Sequence, residues 1–268
     1  MARKTYFDVT RLPGFSTIAV IVFVMLYAPI LMLVIYSFNA GSSVAIWDGF
    51  SWRWYVTAWQ NEQVKEVTLR SLMLAASAAT ISTALATMAA LATTRKRAFR
   101  GQTAIYVAIN QPLMVPEIVT AVALLILFAA VKVATGYQGM GYLILAHTAF
   151  CIPFAYLPIR ARLEGMDMAL EAAAADLYAS PWQGFRHVTL PLLMPGIAAG
   201  MMLAFVTSLD DVVISLFVKS AGQDTLPTYL LAQLRRQVSP EINAISSVLL
   251  LLTLVLLTTF FLLTRKKD

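Results

Sequence analysis

A chain of 268 residues with 59% hydrophobic and only 13% charged residues lies far from the soluble average of about 25% charged. Its net charge of +6 does not point to nucleic acid, because the basic residues form short clusters between long apolar runs, the pattern of membrane topology. The single cysteine, Cys151, makes neither an internal disulfide nor a paired-cysteine zinc site, and it reads as a small buried hydrophobe.

Six apolar runs reach the roughly 20 residues that cross a bilayer: 16–38, 68–94, 103–131, 141–162, 190–218 and 242–264. The expected fold is therefore all-α and polytopic. The first run follows Arg3, Lys4 and Arg11 and exceeds the roughly 7–15 residues of a signal-peptide core, so an uncleaved span is expected. After it, Trp47, Trp52, Trp54, Tyr55 and Trp59 crowd one segment, as in an interfacial aromatic belt. The second span is rich in Ala, Ser and Thr from Ser71 to Thr94, which reads as a helix-packing surface. Pro112 and Pro116 predict a kink or break in the third. With the N-terminus inside, thirteen Lys and Arg residues fall on the cytoplasmic side and seven outside, which favours two cytoplasmic termini.

Between spans four and five, residues Met168–Tyr178 are rich in Ala and Leu, strong helix formers. Ser180-Pro181 predicts a restart, Ser as cap and Pro at the first helical position, and Leu190-Pro191 opens the next span in the same way. Two short helices meeting at a bend, mostly uncharged, suit docking into a partner's groove.

Three acids fall within the spans, Glu117, Asp210 and Asp211, with no basic residue deep in a span to pair with them. Each costs about 2.5–3.5 kcal/mol at a helix centre, so such acids commonly mark a pathway, here one for a cation. A second reading competes: Glu117 after Pro116, and Asp210 after Thr207-Ser208, are placed to cap restarted helices. Asp211 is also placed to pair with Lys219 or with an Arg of a sister subunit. Tyr106 and Asn110, with Gln111, lie near the proline break. They fit either hydrogen bonding to ammonium groups or interhelical packing. His147 reads as a satisfied interior histidine, and two histidines in all argue against a metal site. The segment Gly222–Asn243 is long enough to meet an external binding protein.

The loop residues resemble the inner-membrane permeases of type I ABC importers. Their pattern runs Glu-Ala-Ala, three residues, Gly, nine residues, Ile-x-Leu-Pro. Counted back from Leu190 and Pro191, Val188 takes the Ile place, Tyr178 the Gly place and Ala172 the Glu place, while the acid stands at Glu171. Ala173, Ala174, Asp176 and Leu177 fit the pattern. Tyr27-Ala-Pro29, Phe205–Asp211, Leu226-Pro227 and Ser239–Ala244 are similar to the spermidine/putrescine permease branch.

The resemblance implies a polyamine permease of the bacterial inner membrane, with a coupling helix in the loop between spans four and five. On this reading residues 1–65 form a first span and periplasmic loop, 66–264 the permease domain and 265–268 a cytoplasmic tail. The implied partners are a homologous permease, two ATP-binding cassette subunits and a periplasmic solute-binding protein, in membrane lipid and without nucleic acid. No phosphate-binding Gly-rich motif ending in Gly-Lys-Ser/Thr occurs in the sequence. The chain is thus expected to be a non-enzymatic subunit that binds no cofactor, with ATP and Mg on the ATPases. Permeases for another organic cation or an opine-like amino compound, and a proton-coupled secondary transporter, stand as alternatives. A membrane enzyme is disfavoured, since no nucleophile–base pair has usable spacing.

Overall fold

The computed structural model describes residues 15–44, 46–95, 99–236 and 239–264. Much of the basic residue set used for orientation, including Arg3, Lys4, Arg11, Lys96, Arg97 and Arg265–Lys267, lies outside the described residues, as does the 265–268 tail. The helices, in chain order, are α1 (Phe15–Tyr36), α2 (Arg53–Gln60), α3 (Glu62–Thr94), α4 (Gln102–Met114), α5 (Glu117–Thr135) and α6 (Gly141–Glu164). They continue with α7 (Ala169–Asp176), α8 (Pro181–Gly184), α9 (Leu190–Asp210), α10 (Val213–Val218), α11 (Leu226–Arg236) and α12 (Pro240–Thr264). Six of these helical stretches are long and apolar enough to cross a membrane. The fold is all-α, and the described residues hold no strand beyond an isolated bridge between Asn39 and Phe50.

The break expected in the third span is present. Pro112 lies within α4, the chain turns to an extended conformation at Val115 and Pro116, and α5 restarts at Glu117. Pro116 has no N–H to lose at the start of a helix, which makes a restart there inexpensive. The fifth span differs from expectation at both ends. Leu190-Pro191 does not open a new helix. Residues Phe185–Thr189 form a π-helical turn that carries α8 into α9 without interruption. Pro191 deprives the ladder of an N–H, and the wider π turn absorbs that loss. At the other end the helix stops at Asp210, and α10 is a separate short helix.

The chain divides into two units, residues 1–60 with 234–250, and residues 61–233 with 251–268. In the first, α1 exposes apolar side chains such as Ile18, Phe23, Met25 and Leu31, as a lipid-facing span does. The loop after it is organised by Asn39, which is fully buried. Its amide donates to the carbonyls of Ser43 (2.8 Å) and Ile46 (2.7 Å), and its oxygen accepts from Asp48 N–H (2.8 Å). Around it the aromatic segment packs on itself: Phe38 stacks on Phe50 at 5.3 Å and meets Trp52 edge-on at 4.9 Å.

In the second unit α3, α6 and α9 pack against one another and form the core, with Leu74, Ala79, Ala86, Tyr156, Ile159 and Leu193 buried at their contacts. The small residues of α3 recur on one face, Ser71, Ala75, Ala78, Ser82, Ala86 and Ala90, and all are buried, as the sequence led one to expect. On α9 the small stripe is Gly196, Gly200 and Ala204, spaced by four. A Cβ on Gly200 would lie 2.6 Å from the Ala155 carbonyl, and one on Gly196 would lie 2.7 Å from Arg162 Cβ. These contacts exist only because the backbones of α6 and α9 approach so closely, the membrane alternative to a hydrophobic driving force. The segment before α12, expected as a loop, contains α11, whose Leu226, Pro227, Tyr229 and Leu230 are buried. Ser71 Oγ accepts the Leu226 N–H at 2.7 Å, and Arg70 donates to the Asp224 carbonyl at 3.0 Å.

Because the obstacle at Gly200 is backbone, Gly200→Val should force α6 and α9 apart and cost roughly 1–3 kcal/mol or more. Thermal unfolding of the purified protein in detergent should show a clearly lowered midpoint, whereas Gly184→Ala, helical and with nothing within 4 Å of the added Cβ, should hold or raise it.

Candidate functional site

The break between α9 and α10 sits within an otherwise apolar span, and the residues around it explain how it is tolerated. Asp211 adopts an extended conformation (φ −65°, ψ 131°), and its carboxylate turns forward over the start of α10. Oδ1 accepts the Ile214 N–H at 3.3 Å and Oδ2 the Ser215 N–H at 2.8 Å. This is N-capping by a side chain, and without water the alternative would be unsatisfied amides. The cap therefore belongs to Asp211, one residue beyond Asp210.

His147 of α6 closes the arrangement. Its Nδ1 is hydrogen-bonded to Ser208 Oγ at 2.8 Å and its Nε2 to Ser215 Oγ at 3.0 Å, with Asp211 Oδ2 3.4 Å from Nε2. Both the histidine and aspartate side chains are only 1% exposed. One imidazole thus ties the last turn of α9 to the first turn of α10, a satisfied interior histidine with a structural task. α5, which begins at Glu117, packs on α10. Asp210 behaves differently. It is exposed, and among the described residues no ion pair or hydrogen bond engages its side chain. Lys219, spaced to pair with Asp211, instead bonds Asp224.

Tyr106 and Asn110 lie elsewhere. Asn110 is buried and its amide donates to the Tyr106 carbonyl at 2.8 Å. The Tyr106 ring carries the Arg160 guanidinium 4.9 Å from its centroid, with Tyr156 edge-on at 6.5 Å. Arg160 and His147 are 13 residues apart on α6, which is about 20 Å along a helix axis. Tyr106 and the acid cluster are therefore at different levels of the bundle. Sequence spacing gave no sign of Arg160 on Tyr106, nor of Ser208 and Ser215 on His147, because these contacts join separate helices.

The loop between α6 and α9 forms an exposed knob. Ser180 caps α8 with its hydroxyl accepting the Gln183 N–H at 3.3 Å while Gln183 Oε1 accepts the Ser180 N–H at 2.8 Å, a capping box. Ala173 and Asp176 are exposed and Ala174 is half-buried. Leu177 is 82% and Tyr178 97% exposed, with Trp182 beside them at 65%. Tyr178 has φ +62°, the only positive φ on a residue other than glycine among the described residues. The left-handed conformation there is what a glycine would supply without penalty, so the bend is kept although the glycine is absent. Leu190 and Pro191 lie in the continuous helix that follows, half-buried and exposed respectively. Glu171 turns inward: its Oε1 lies 3.3 Å from Arg95 Nη2 and accepts the Thr189 hydroxyl at 3.1 Å. Arg95 and Thr189 were not singled out by the sequence, although Arg95 stands in a conspicuous basic cluster.

Six apolar spans, two of them broken near acids, and a capped two-helix knob between the fourth and fifth are the features of a membrane transport protein of the permease kind. The chain belongs to the family described as binding-protein-dependent transport system inner membrane component, which matches residues 82–266. It is 41% identical over 245 residues to the putrescine transport system permease protein PotI of Escherichia coli K12, covering 90% of this chain and 87% of that one. To the spermidine/putrescine transport system permease protein PotC of Haemophilus influenzae it is 38% identical, covering 92% and 95%. Among solved structures, a bacterial ABC transporter that imports the acidic polysaccharide alginate shares the fold with a TM-score of 0.70 at 16% identity, over 93% of each chain. The methionine ABC transporter MetNI superposes with a TM-score of 0.62 at 17% identity, over 75% of this chain and 94% of that one. The family places the chain in the inner membrane as a multi-pass protein.

Two outcomes are expected from these geometries. Asp211→Ala, which removes the α10 cap, should lower stability by about 1–2 kcal/mol, while Asp210→Asn should leave it unchanged; thermal unfolding in detergent separates them. A non-glycine residue in the left-handed region costs about 1–2 kcal/mol, so Tyr178→Gly should slow limited trypsin cleavage at Arg186.

Proposed function

We propose that the chain is the permease subunit of an ATP-driven importer that admits polyamines such as putrescine and spermidine by alternating access. The observation that carries this reading is the 41% identity to a putrescine permease over 90% of the chain. The chemistry of the break supports it. A linear polyamine is a multivalent cation, and Glu117, Asp210 and Asp211 bring three carboxyl groups to interrupted helices with no Lys or Arg side chain described against them. Since Asp211 is occupied as a cap, Asp210 with its open carboxylate and Glu117 are the groups offered to a passing ammonium. Tyr106 and Asn110 would act nearer the other end of the route. There Arg160 covers the Tyr106 ring, so the ring takes an ammonium group only when Arg160, which also bonds Glu164, swings off it.

The exposed knob of Leu177, Tyr178 and Trp182 is the apolar surface suited to a groove on an ATP-binding subunit, with Glu171, Ala173, Ala174 and Asp176 on the helix behind it. Leu190 and Pro191 then pass its movement into α9. On this reading a second, homologous permease completes the pathway. Two ATPase subunits carry ATP and Mg, a periplasmic binding protein delivers solute, and this chain performs no chemistry of its own. Both termini lie in the cytoplasm, consistent with the excess of basic residues on that side. Residues 1–65 act as the accessory first span, 66–264 as the permease domain and 265–268 as the tail.

The test is uptake of labelled putrescine and spermidine in cells lacking their own importers, with the chain expressed alongside its neighbouring genes. ATP-dependent uptake is expected, and Asp210→Asn should reduce it about tenfold at unchanged membrane abundance, the effect of losing one charged contact of roughly 1.5 kcal/mol. An assembled wild-type complex that moves neither amine would overturn the substrate assignment. Uptake that persists without the ATPase subunits and collapses with the proton gradient would establish a secondary transporter instead.

A further inference from the structure

Moving an acid by one residue along a helix rotates it by about 100°. At the position where the permease pattern places its glutamate, this chain has Ala172, which is exposed on the outer face of α7. The carboxylate one residue earlier has turned away from that face. Glu171 is 26% exposed and meets Arg95, 16% exposed, at the end of α3. The acid of α7 is thus held in an internal contact.

That contact joins three segments that would otherwise be loosely related. Arg95 caps the C-terminus of α3, its N–H bonded to the Leu91 carbonyl at 3.0 Å, where a cation is favoured by the helix dipole. Its guanidinium also hydrogen-bonds Met168 Sδ at the root of α7. Glu171 in turn takes the hydroxyl of Thr189, in the π turn that feeds α9. An open pocket of about 330 Å³ lies beside the pair, lined by Leu91, Ala174 and Phe185 as well as Arg95 and Glu171. Between α7 and α3 the link is the charged contact itself, 3.3 Å from Arg95 Nη2 to Glu171 Oε1, and an ion pair held there carries movement from one helix to the other.

We propose that Arg95 and Glu171 are positioning residues that pass the movement of the α7–α8 knob into α3, keeping ATP use and solute movement coupled. The inference rests on the permease reading above. If the knob shifts with the ATPase subunits, Glu171 pulls α3 through Arg95 and α9 through Thr189 together, so two of the three core helices receive one displacement. Without the pair, the knob is free to follow the ATPases while α3 stays behind.

The experiment compares wild type, Arg95→Gln, Glu171→Gln and the exchanged pair Arg95→Glu/Glu171→Arg. Each is purified as the full complex with its co-expressed subunits and reconstituted in lipid vesicles. The readout is solute taken up per ATP hydrolysed. Each single variant should assemble and hydrolyse ATP normally but move about tenfold less solute per ATP, within the range of allosteric coupling energies. The exchanged pair should recover at least half of the wild-type ratio. An unchanged ratio in Arg95→Gln would overturn the proposal, as would loss of the ATPase subunits on purification, which would mark a purely structural contact. Should the wild-type complex hydrolyse ATP and move no polyamine, the substrate assignment fails while this inference is still read. A fluorophore at Ala169→Cys, exposed in the first turn of α7 and outside the docking surface, in a Cys151→Ala background reports ATP-driven motion of the knob, and one at Met88→Cys reports that of α3. The two should move together in wild type and separately in Arg95→Gln; joint motion in both would overturn the coupling role.

Discussion

A helix that stops inside a bilayer strands backbone amides where no water can reach them, and each stranded group costs several kcal/mol. The interruption between α9 and α10 is affordable only because Asp211 accepts two of those amides and His147 bridges the serines on either side. Much else follows from that local solution. With Asp211 committed inward, the neighbouring Asp210 is left facing outward, and α10 is set as a separate segment against α5. The same constraint acts at the break between α4 and α5, where proline removes the donor that would have been stranded.

The α3, α6 and α9 core around these breaks depends on close approach as well as on buried large apolar side chains. Gly196 and Gly200 let α9 lie directly on the backbone of α6, and the buried small face of α3 does the same for its two neighbours. In lipid, burial of apolar surface gives no advantage over contact with acyl chains, so dispersion at short range and interhelical hydrogen bonds remain to hold helices together. Thr93 to Tyr156 at 2.9 Å and Arg162 to the Leu192 carbonyl at 2.8 Å are bonds of that kind. They also fix the helix ends from which the α7–α8 knob projects.

The knob keeps a left-handed bend without a glycine. Tyr178 occupies the left-handed bend that a glycine would fill freely, so the geometry is retained at some cost in strain. The shifted acid has a different consequence, since rotation around α7 carries it to Arg95 and Thr189. The outer face is left apolar at Leu177, Tyr178 and Trp182, while charge is held at the hinge behind it.

What the sequence determined by itself were features with a local or periodic cause: six spans from the length of apolar runs, the proline break in the third, the packing face of α3, and the α7–α8 knob from helix propensity and the Ser180-Pro181 restart. What the tertiary structure decided were choices among partners far apart in the chain. Asp211 rather than Asp210 became the cap, His147 found Ser208 and Ser215, Arg160 covered Tyr106, and Glu171 met Arg95. Local sequence sets whether a helix forms or stops, but which side chain satisfies which depends on the rotation and depth at which separate helices meet. That is fixed only when small residues on α3 and α9 allow their backbones to close on α6.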